Sequence, residues 1–295
     1  MLPRSPRRSN MTAQFHELTR SEQETLLEWA AAEGWNPGIR DAEAFWNLDP
    51  HGFLGFEVDG ELAGGGAIIR HSSRFGFMGL FIVGPDCRGR KLGAQLWTAR
   101  RDRLLSRLDP GATIGLDGVD AMVPFYERGG FKPFTRHRRF ELADSSIAEI
   151  DESNVVQLST VDFELVNQFD YDCFPRGRRK FLENWLSQPG TMSLGIMGDG
   201  GLGGFGVMRP CQTGWKVGPL FADTLFDADQ ILKSLRSRAD GQPVYIDAPD
   251  NNSDALELCR SHGMTEVFGC VRMYLGPIPN LEHHLIYGVT TLEVG

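Results

Sequence analysis

The stretch 80-LFIVGPDCRGRKLGAQLW-97 carries the strongest fold signal in the chain. An apolar run ends at Gly84, a short loop rich in glycine and basic residues follows, and a helical pattern begins near Leu92. This order is typical of phosphate-binding sites, including the triphosphate loop G-x-x-x-x-G-K-[ST]. The match to that loop fails, because Arg90 stands where the lysine is required and no serine or threonine follows to bind magnesium.

The remaining interpretation is an anion site that needs no metal. Gly89 and Gly93 permit a close approach of the backbone, and the unpaired N–H groups at the start of the helix supply partial positive charge. Arg88, Arg90 and Lys91 add positively charged side chains. The pattern therefore favours a diphosphate bound without magnesium, and a turn of solvated basic residues is the alternative.

The segments around this stretch predict a mixed α/β domain. Residues 13–18 are typical of a short strand, and residues 21–33 of a helix with Ser21 as its N-cap. The run 52–69 predicts two strands around an Asp-Gly turn, and 75–83 predicts an apolar strand. The elements predicted after the basic loop are a helix over about 92–107, a strand over 112–119, a short helix over 121–129 and a strand over 131–142.

The second half of the chain repeats this plan. Three segments recur in the same order at offsets of 130 to 140 residues: 59–66 as 199–206, 112–119 as 243–249, and 126–131 as 259–264. Such a recurrence indicates an internal duplication. It also explains 198-GDGGLG-203, which fits the dinucleotide pattern G-x-G-x-x-G; a strand follows it where that pattern requires a helix, so we predict a hairpin turn.

Length and composition limit the possible classes of protein. The 295 residues suit two domains, and we divide the chain into a disordered tail (1–10), a first domain (11–142), a linker (143–153) and a second domain (154–295). A formal net charge of −9 disfavours nucleic acid as a partner. The five cysteines are scattered, which argues against a disulfide framework and a metal site and fits a reducing cytoplasm. We expect a cytoplasmic monomer or homodimer without a membrane segment.

The stretch 80–97, followed by 125-FYERGGF-131, resembles the GNAT superfamily of acetyl-CoA-dependent N-acetyltransferases. The superfamily's signature Q/R-x-x-G-x-G/A opens a helix after the fourth strand, and a turn of the form Y-x-x-x-G-F comes later. Arg88 and Gly93 match its first and last positions, whereas Lys91 replaces the middle glycine. The resemblance covers nearly the whole chain after residue 11. It implies an α/β (α+β) fold of two tandem GNAT units, each a mixed, mostly antiparallel, splayed sheet flanked by helices.

By this resemblance the protein is an acyltransferase that moves the acetyl group of acetyl-CoA, its cosubstrate, onto a primary amine. The amine attacks the thioester directly, and backbone N–H groups at the end of the fourth strand polarise the thioester oxygen. The residues expected to contact acetyl-CoA are Phe81, Ile82, Val83, Arg88, Gly89, Arg90, Lys91, Leu92, Gly93, Ala94 and Tyr126.

Tyr126 occupies the superfamily's tyrosine position and is the expected acid that protonates the departing thiolate. The alternative is a packing tyrosine. Asp117 and Asp120 are candidates for the general base, and a base acting through water is also open. Because Asp117 has a counterpart, Asp247, in the second copy, a structural helix cap is the alternative for it. His71 and His137 are expected to be solvated.

The second copy lacks the basic loop. Asp223, Asp227 and Asp229 replace the arginines and would repel a diphosphate, and Cys259 stands at the tyrosine position. We therefore expect this copy to be degenerate and not to bind acetyl-CoA. The acceptor amine is not identified by the sequence. A non-catalytic acyl-CoA sensor or interaction module and a peptide or protein N-acetyltransferase remain alternative functions.

Overall fold

A computed structural model describes residues 13–147, 150–198 and 200–295. The predicted tail over 1–10 lies outside these ranges, as do residues 148–149 of the predicted linker and Asp199 of the predicted hairpin. Helices and strands are interspersed along the described chain, and the sheet is mixed but mostly antiparallel. The predicted fold class is therefore confirmed.

The first half contains six strands and four α-helices among its described residues. Its strands are β1 (Gln14–Glu17), β2 (Phe53–Val58), β3 (Glu61–Arg70), β4 (Phe75–Val83), β5 (Thr113–Gly118) and β6 (Lys132–Leu142). Its helices are α1 (Arg20–Ala32), α2 (Asp41–Leu48), α3 (Leu92–Leu105) and α4 (Val123–Arg128). The sequence did not predict α2, and the N-cap of α1 is Thr19 instead of Ser21, because Thr19 and Glu22 form a capping box.

The second half repeats this order of elements. Its strands are β7 (Val155–Gln157), β8 (Met192–Gly198), β9 (Gly201–Pro210), β10 (Trp215–Ala222), β11 (Val244–Pro249), β12 (Thr265–Leu275) and β13 (Ile286–Gly288). Its helices are α5 (Phe163–Cys173), α6 (Arg179–Leu186), α7 (Leu225–Arg236) and α8 (Ser253–Ser261). No helix among the described residues combines the length and apolar character needed to cross a bilayer.

All of these strands belong to one continuous sheet. Twelve follow the order β1-β2-β3-β4-β5-β12-β6-β11-β10-β9-β8-β7, and β13 pairs with β10. Within the described chain, only the β4/β5 and β10/β11 pairs are parallel. Parallel pairs require a crossover, and the helices α3 and α7 provide it in the two halves.

The last long strand of each half lies in the sheet of the other half. Strand β6 pairs with β11, strand β12 pairs with β5, and the two exchanged strands pair with each other. The sequence predicted the strand over 131–142 but not its partner. Because β12 borders β5, any site beside β5 is built from both halves.

A hydrophobic core also joins the two halves. It contains Leu26 and Phe45 from the first half and Trp185 and Phe205 from the second, all with no exposed surface. The rings of Phe45 and Trp185 stack with centroids 6.3 Å apart. Since burying an aromatic side chain stabilises a fold by about 1.5–3 kcal/mol, this core holds the two halves in a fixed relation.

Candidate active site

Strands β4 and β5 separate part-way along their length. Their parallel pairing runs from Phe75 opposite Thr113 to Met78 opposite Leu116, whereas β4 itself continues to Val83. The point of separation coincides with a bulge in β4, where three residue steps oppose two in β3. Leu80, inside the bulge, has a φ of 50°, in the left-handed region that non-glycine residues rarely adopt. The bulge redirects the strand and opens a cleft in the sheet.

Arg100 of α3 supports this bulge from beneath. Its Nη2 atom donates to the carbonyl oxygens of Ala67, at 2.6 Å, and Gly79, at 2.5 Å. Gly66 is necessary for this arrangement, because a Cβ there would lie 2.3 Å from the Arg100 Cζ atom. Burial lowers the pKa of Arg100 to about 10, which leaves it charged at neutral pH. Its Nε and Nη1 atoms have no hydrogen-bond partner among the described residues.

A cavity of about 180 Å³ passes through the cleft, and we call it the splay cavity. One wall comes mainly from α3, α4, β4 and β5, and the other from Trp35, from Arg139 on β6, from β12 and from the last residues of the chain. The first wall includes Trp97, Arg100 and Tyr126, and the second includes Trp35, Phe268 and Glu293. The cavity is therefore apolar and aromatic with a few ionisable groups, as small-molecule sites usually are.

Tyr126 is buried in the first wall. Its ring lies 5.0 Å from that of Trp97, and a Cβ at Gly118 would lie 2.6 Å from its Cε2 atom. Burial raises the pKa of Tyr126 to about 12, and the charge of Arg100 opposes this only in part. The phenol therefore keeps its proton at neutral pH, as a proton donor must.

Asp117 also lines the splay cavity, but its carboxylate is already engaged in an ion pair. Both of its oxygens accept hydrogen bonds from Arg272, at 2.8 and 2.7 Å, and His137 lies 3.2 Å away. Burial by itself would raise the pKa of Asp117, but Arg272 and His137 outweigh it and hold the pKa well below its usual range. A carboxylate held as an anion in this way accepts protons poorly, so the structure argues against Asp117 as the base.

The other predicted polar candidates are also engaged elsewhere. Asp120 is 63% exposed at the surface and is bound by both Nη atoms of Arg136, at 2.6 and 2.9 Å. His137 and His71 were expected to be solvated, and this expectation is wrong. His137 is 4% exposed, and burial lowers the pKa of His71 to about 3. The sequence misled here because polar residues between basic neighbours resemble a surface strand.

The basic loop, residues 84–91, leads into the N-terminus of α3. Gly89 has a φ of 74°, and Lys91, the N-cap, has a φ of 66°. Among the residues that the structure describes, no side chain caps α3, and the first turn of this helix contains no acidic residue. The first N–H groups of the helix therefore have no capping side chain, which is the arrangement that attracts anions.

The side chain of Arg88, in this loop, contacts residues outside the loop. Its Nε atom donates to the Val83 carbonyl at 2.8 Å, and its Nη2 atom forms an ion pair with Glu33. The Arg88 side chain is half exposed, so this ion pair contributes only about 0–1 kcal/mol and can be exchanged for a stronger anionic partner.

The equivalent cleft in the second half is closed. Strand β10 pairs with β11 only from Trp215 to Val217, and β13 then fills the widening gap by pairing with Leu220 and Phe221. The N–H of Val289 continues the filling with a 2.9 Å hydrogen bond to the Asp247 carbonyl. The last segment of the chain thus occupies the position that the splay cavity has in the first half.

The helix after this second cleft is also unlike α3. Thr224 caps α7 by accepting from the N–H of Asp227, which adds a carboxylate in the first turn. Cys259 is fully buried, and burial raises the pKa of its thiol to about 12. A self-capped, acidic helix terminus and an inert thiol offer nothing for a phosphate or for proton transfer.

Two family models, each described as an acetyltransferase (GNAT) domain, match residues 31–142 and 166–288. Together they cover most of the chain. The chain belongs to the GNAT acetyltransferases. The expected membership of the GNAT superfamily and the expected enzyme class are confirmed, and so is the tandem arrangement of two GNAT domains.

Relatives and solved structures agree with this assignment. The chain is 29% identical over 277 residues to holothin acyltransferase of Pseudoalteromonas sp. (strain SANK 73390), covering 93% of this chain and 92% of that protein. An acetyltransferase candidate from Pyrococcus horikoshii has a similar structure with a TM-score of 0.81 and 24% identity, over 97% of this chain and 98% of that one. A tandem GNAT protein from the clavulanic acid biosynthesis pathway has a TM-score of 0.64 at 14% identity, over 91% and 100%. These two structures support the fold.

Sequence reasoning missed two charged residues that line the splay cavity, although each left a signal. Arg100 continues the buried stripe of Leu92, Leu96 and Leu104 on α3, a spacing that places all four on one face. Glu293 is the one acidic residue in the closing segment 286-IYGVTTLEVG-295. A charge at an apolar position is a mark of a buried, functional side chain.

Proposed function

We propose that the first half binds acetyl-CoA in the splay cavity and transfers the acetyl group to a primary amine of a small molecule. The observation that carries this proposal is the difference between the two clefts. The cleft beside β4 is open and adjoins an uncapped, basic helix terminus. The cleft beside β10 is filled by β13 and adjoins an acidic, self-capped one.

The diphosphate of the cosubstrate would lie on the N-terminus of α3. Its contacts would be the backbone N–H groups of the first turn and the side chains of the basic loop, without a metal ion. The residues assigned to it are Arg88, Gly89, Arg90, Lys91, Leu92, Gly93 and Ala94. Arg88 would exchange its exposed ion pair with Glu33 for the phosphate oxygens.

The pantetheine arm would then enter between β4 and β5 and bring the thioester to the bulge. Backbone N–H groups of Phe81, Ile82 and Val83 would polarise the thioester oxygen. The amine nitrogen attacks the carbonyl carbon, a C–N bond forms, and the C–S bond breaks. Tyr126 gives its proton to the departing thiolate and regains one from the new ammonium centre, so the phenol is unchanged after the cycle. A neutral phenol at the cavity wall supports this role.

A small acceptor is supported by the size and lining of the cavity. Its walls carry indole and phenyl rings, which suit a flat or apolar amine better than a polar peptide chain. A relative that spans nearly the same length is named for acyl transfer to holothin, which agrees with a small-molecule acceptor.

Steady-state assays of the full chain test this proposal. Acetyl-CoA and a panel of primary amines should release free thiol and yield acetylated amine by mass spectrometry. Calorimetry should find one coenzyme A per chain. A second coenzyme A site, or tight binding of acetyl-CoA with no acetylated product from any amine, would contradict the proposal and favour an acyl-CoA sensor.

A further inference from the structure

Glu293 lies in the last segment of the chain, which crosses from the second half to the first. After β13 has filled the cleft beside β10, the chain continues along β4, where Glu293 lies against Gly79 and Gly295 against Phe77. The Glu293 carbonyl oxygen lies so close to Gly79 that a Cβ there would approach it to 1.9 Å. The Val294 carbonyl oxygen accepts a 2.8 Å hydrogen bond from Nε2 of His71. These contacts pin the backbone of Glu293 directly beside the bulge in β4.

Glu293 lines the splay cavity, and its side chain is buried. It is 4% exposed, and one of its oxygens, Oε2, accepts a hydrogen bond from the Thr291 hydroxyl. Among the described residues, neither of its oxygens is within ion-pair distance of a basic side chain, and no hydrogen bond reaches Oε1. A buried carboxylate without a direct cationic partner is costly, so a function is the expected reason for its presence.

The nearby cations do not neutralise this carboxylate by contact. Arg139 is committed to Asp247, at 2.7 and 2.8 Å, and Arg209 is committed to Asp41, at 2.9 and 3.2 Å. Lys216 donates to backbone carbonyl oxygens. The nearest basic side chains therefore act on Glu293 only at longer range.

We infer that Glu293 binds the acceptor as an ammonium ion and takes its proton before attack; this inference rests on the proposed function. Asp117, the other carboxylate in the cavity lining, is already neutralised by Arg272. Trp35 and Phe268 line the same cavity as Glu293. A carboxylate beside aromatic rings recognises an organic cation. The acceptor class is therefore an alkyl primary amine, positively charged at neutral pH, on a flat apolar body.

Glu293 and Tyr126 each transfer one of the two protons that the ammonium ion loses. The ammonium ion loses its first proton to the Glu293 carboxylate and becomes a nucleophilic amine. That amine attacks the thioester carbon, and its second proton leaves as the amide forms and passes to the thiolate through Tyr126. Glu293 then releases its proton to solvent as the products leave. The net reaction yields the amide, coenzyme A and one proton.

The test compares two amines that differ in charge, using the full chain, acetyl-CoA and Glu293→Gln. The first probe, 2-phenylethylamine, is a cation at neutral pH; the second, aniline, is neutral there. We expect Glu293→Gln to reduce kcat/KM about 100-fold or more for 2-phenylethylamine, with a raised KM for this amine, and by at most about tenfold for aniline. The loss of kcat/KM that Glu293→Gln causes for 2-phenylethylamine should become smaller as the pH is raised toward the amine's own pKa. Affinity for acetyl-CoA should not change.

Two further variants make the result decisive. Glu257→Gln removes an acid on α8 that is 59% exposed and should match the wild type. Glu293→Asp keeps the charge but withdraws it by one methylene, and should impair 2-phenylethylamine selectively if Glu293→Gln does not fold. Equal losses for both amines, or an unimpaired Glu293→Gln, would overturn the role of Glu293 while leaving the acetyltransferase intact. No thiol release by the wild type with either amine or any of the panel would overturn the proposed function, and this inference with it.

Discussion

Asp117 on β5 lies directly opposite Arg272 on the exchanged strand β12, and the two side chains form a buried, two-point ion pair. The second half repeats the relationship, because Asp247 on β11 lies opposite Arg139 on the exchanged strand β6. The recurrence of an aspartate at this position in both halves therefore reflects the fastening of the exchanged strands. Neither a catalytic role nor a helix-capping role is needed to explain why the aspartate recurs.

Replacing Asp117 should damage stability more than chemistry. Asp117→Asn leaves Arg272 buried without its carboxylate, and we expect a loss of about 3–5 kcal/mol in the free energy of unfolding at pH 7. Urea unfolding measures this loss, and Asp102→Asn, at a position 57% exposed, should cost less than about 0.5 kcal/mol. The turnover per folded molecule should be retained. A stable Asp117→Asn protein without turnover would return Asp117 to the role of base.

The loss of stability at acidic pH should depend on the same ion pair between Asp117 and Arg272. The pKa of Asp117 is lower in the folded chain than in the unfolded one, so its contribution is fully present above about pH 4 and is lost as the pH falls further. The stability gap between the wild type and Asp117→Asn should therefore narrow below about pH 4. A gap that stays constant down to the acid transition would contradict the assigned pKa direction.

Arg100 is expected to be a positioning residue for the bulge. Arg100→Met leaves the carbonyl oxygens of Ala67 and Gly79 without their buried donor, and we expect a loss of about 2–4 kcal/mol in the free energy of unfolding. The affinity for acetyl-CoA should also fall, because the cleft depends on the bulge. The neighbouring Arg101→Met is the matched control, since the ion pair of Arg101 in the described part of the chain is with Asp102 at the surface. Equal effects of the two substitutions would remove Arg100 from this role.

Several local features could be predicted because short patterns determine them. The Asp59-Gly60 turn between β2 and β3 needs two positive φ angles, 55° and 82°, and the sequence provides the residues that adopt them. The basic loop and the following helix were likewise visible from glycine spacing and charge. The duplication revealed the degenerate copy without any structure, since acidic residues replaced basic ones at matching positions.

The pairing partners of the strands and the burial of charged side chains could not be predicted from such short patterns. Strand β6 has the same alternating pattern whether it borders β5 or β11, so nothing local indicates the exchange. Arg139 and Arg209 look like surface residues in the sequence, yet each is nearly fully buried against an aspartate that is distant along the chain. A chain ended at residue 142 would lack β12 beside β5, which is why the experiments use the full chain.

Lys91 should contribute to coenzyme A binding through its positive charge and not through its backbone conformation. Lys91→Gln keeps a non-glycine residue at a φ of 66°, so the backbone strain is unchanged while one positive charge is lost. We expect the Kd for coenzyme A to rise about fivefold, equivalent to about 1 kcal/mol. Calorimetry measures it, and Lys180→Gln on the exposed face of α6 should have no effect. An unchanged Kd in Lys91→Gln would contradict the placement of the diphosphate.

His71 should make the stability of the protein depend on pH in the mildly acidic range. Its pKa is about 3 in the folded chain and about 6.5 in the unfolded one, so the unfolded state takes up the proton first and stability is lost as the pH falls below about 6.5. Between pH 7 and pH 5 we expect a loss of about 1–2 kcal/mol that is absent in His71→Gln. His51→Gln, at a position 73% exposed, should retain the wild-type pH dependence. Identical pH profiles for the wild type and His71→Gln would contradict the burial of a neutral imidazole.

Tyr126 should act on turnover and leave binding intact. Tyr126→Phe removes the hydroxyl but keeps the ring that packs on Trp97, so stability and acetyl-CoA affinity should change little. The thiolate then leaves without a positioned proton donor, and we expect kcat to fall about 100-fold. Tyr171→Phe, at a position 52% exposed, is the matched control. Because the folded pKa of Tyr126 is about 12, the wild-type rate should not decline from loss of this proton below about pH 11. A wild-type rate in Tyr126→Phe would remove the phenol from the mechanism and leave water as the proton donor.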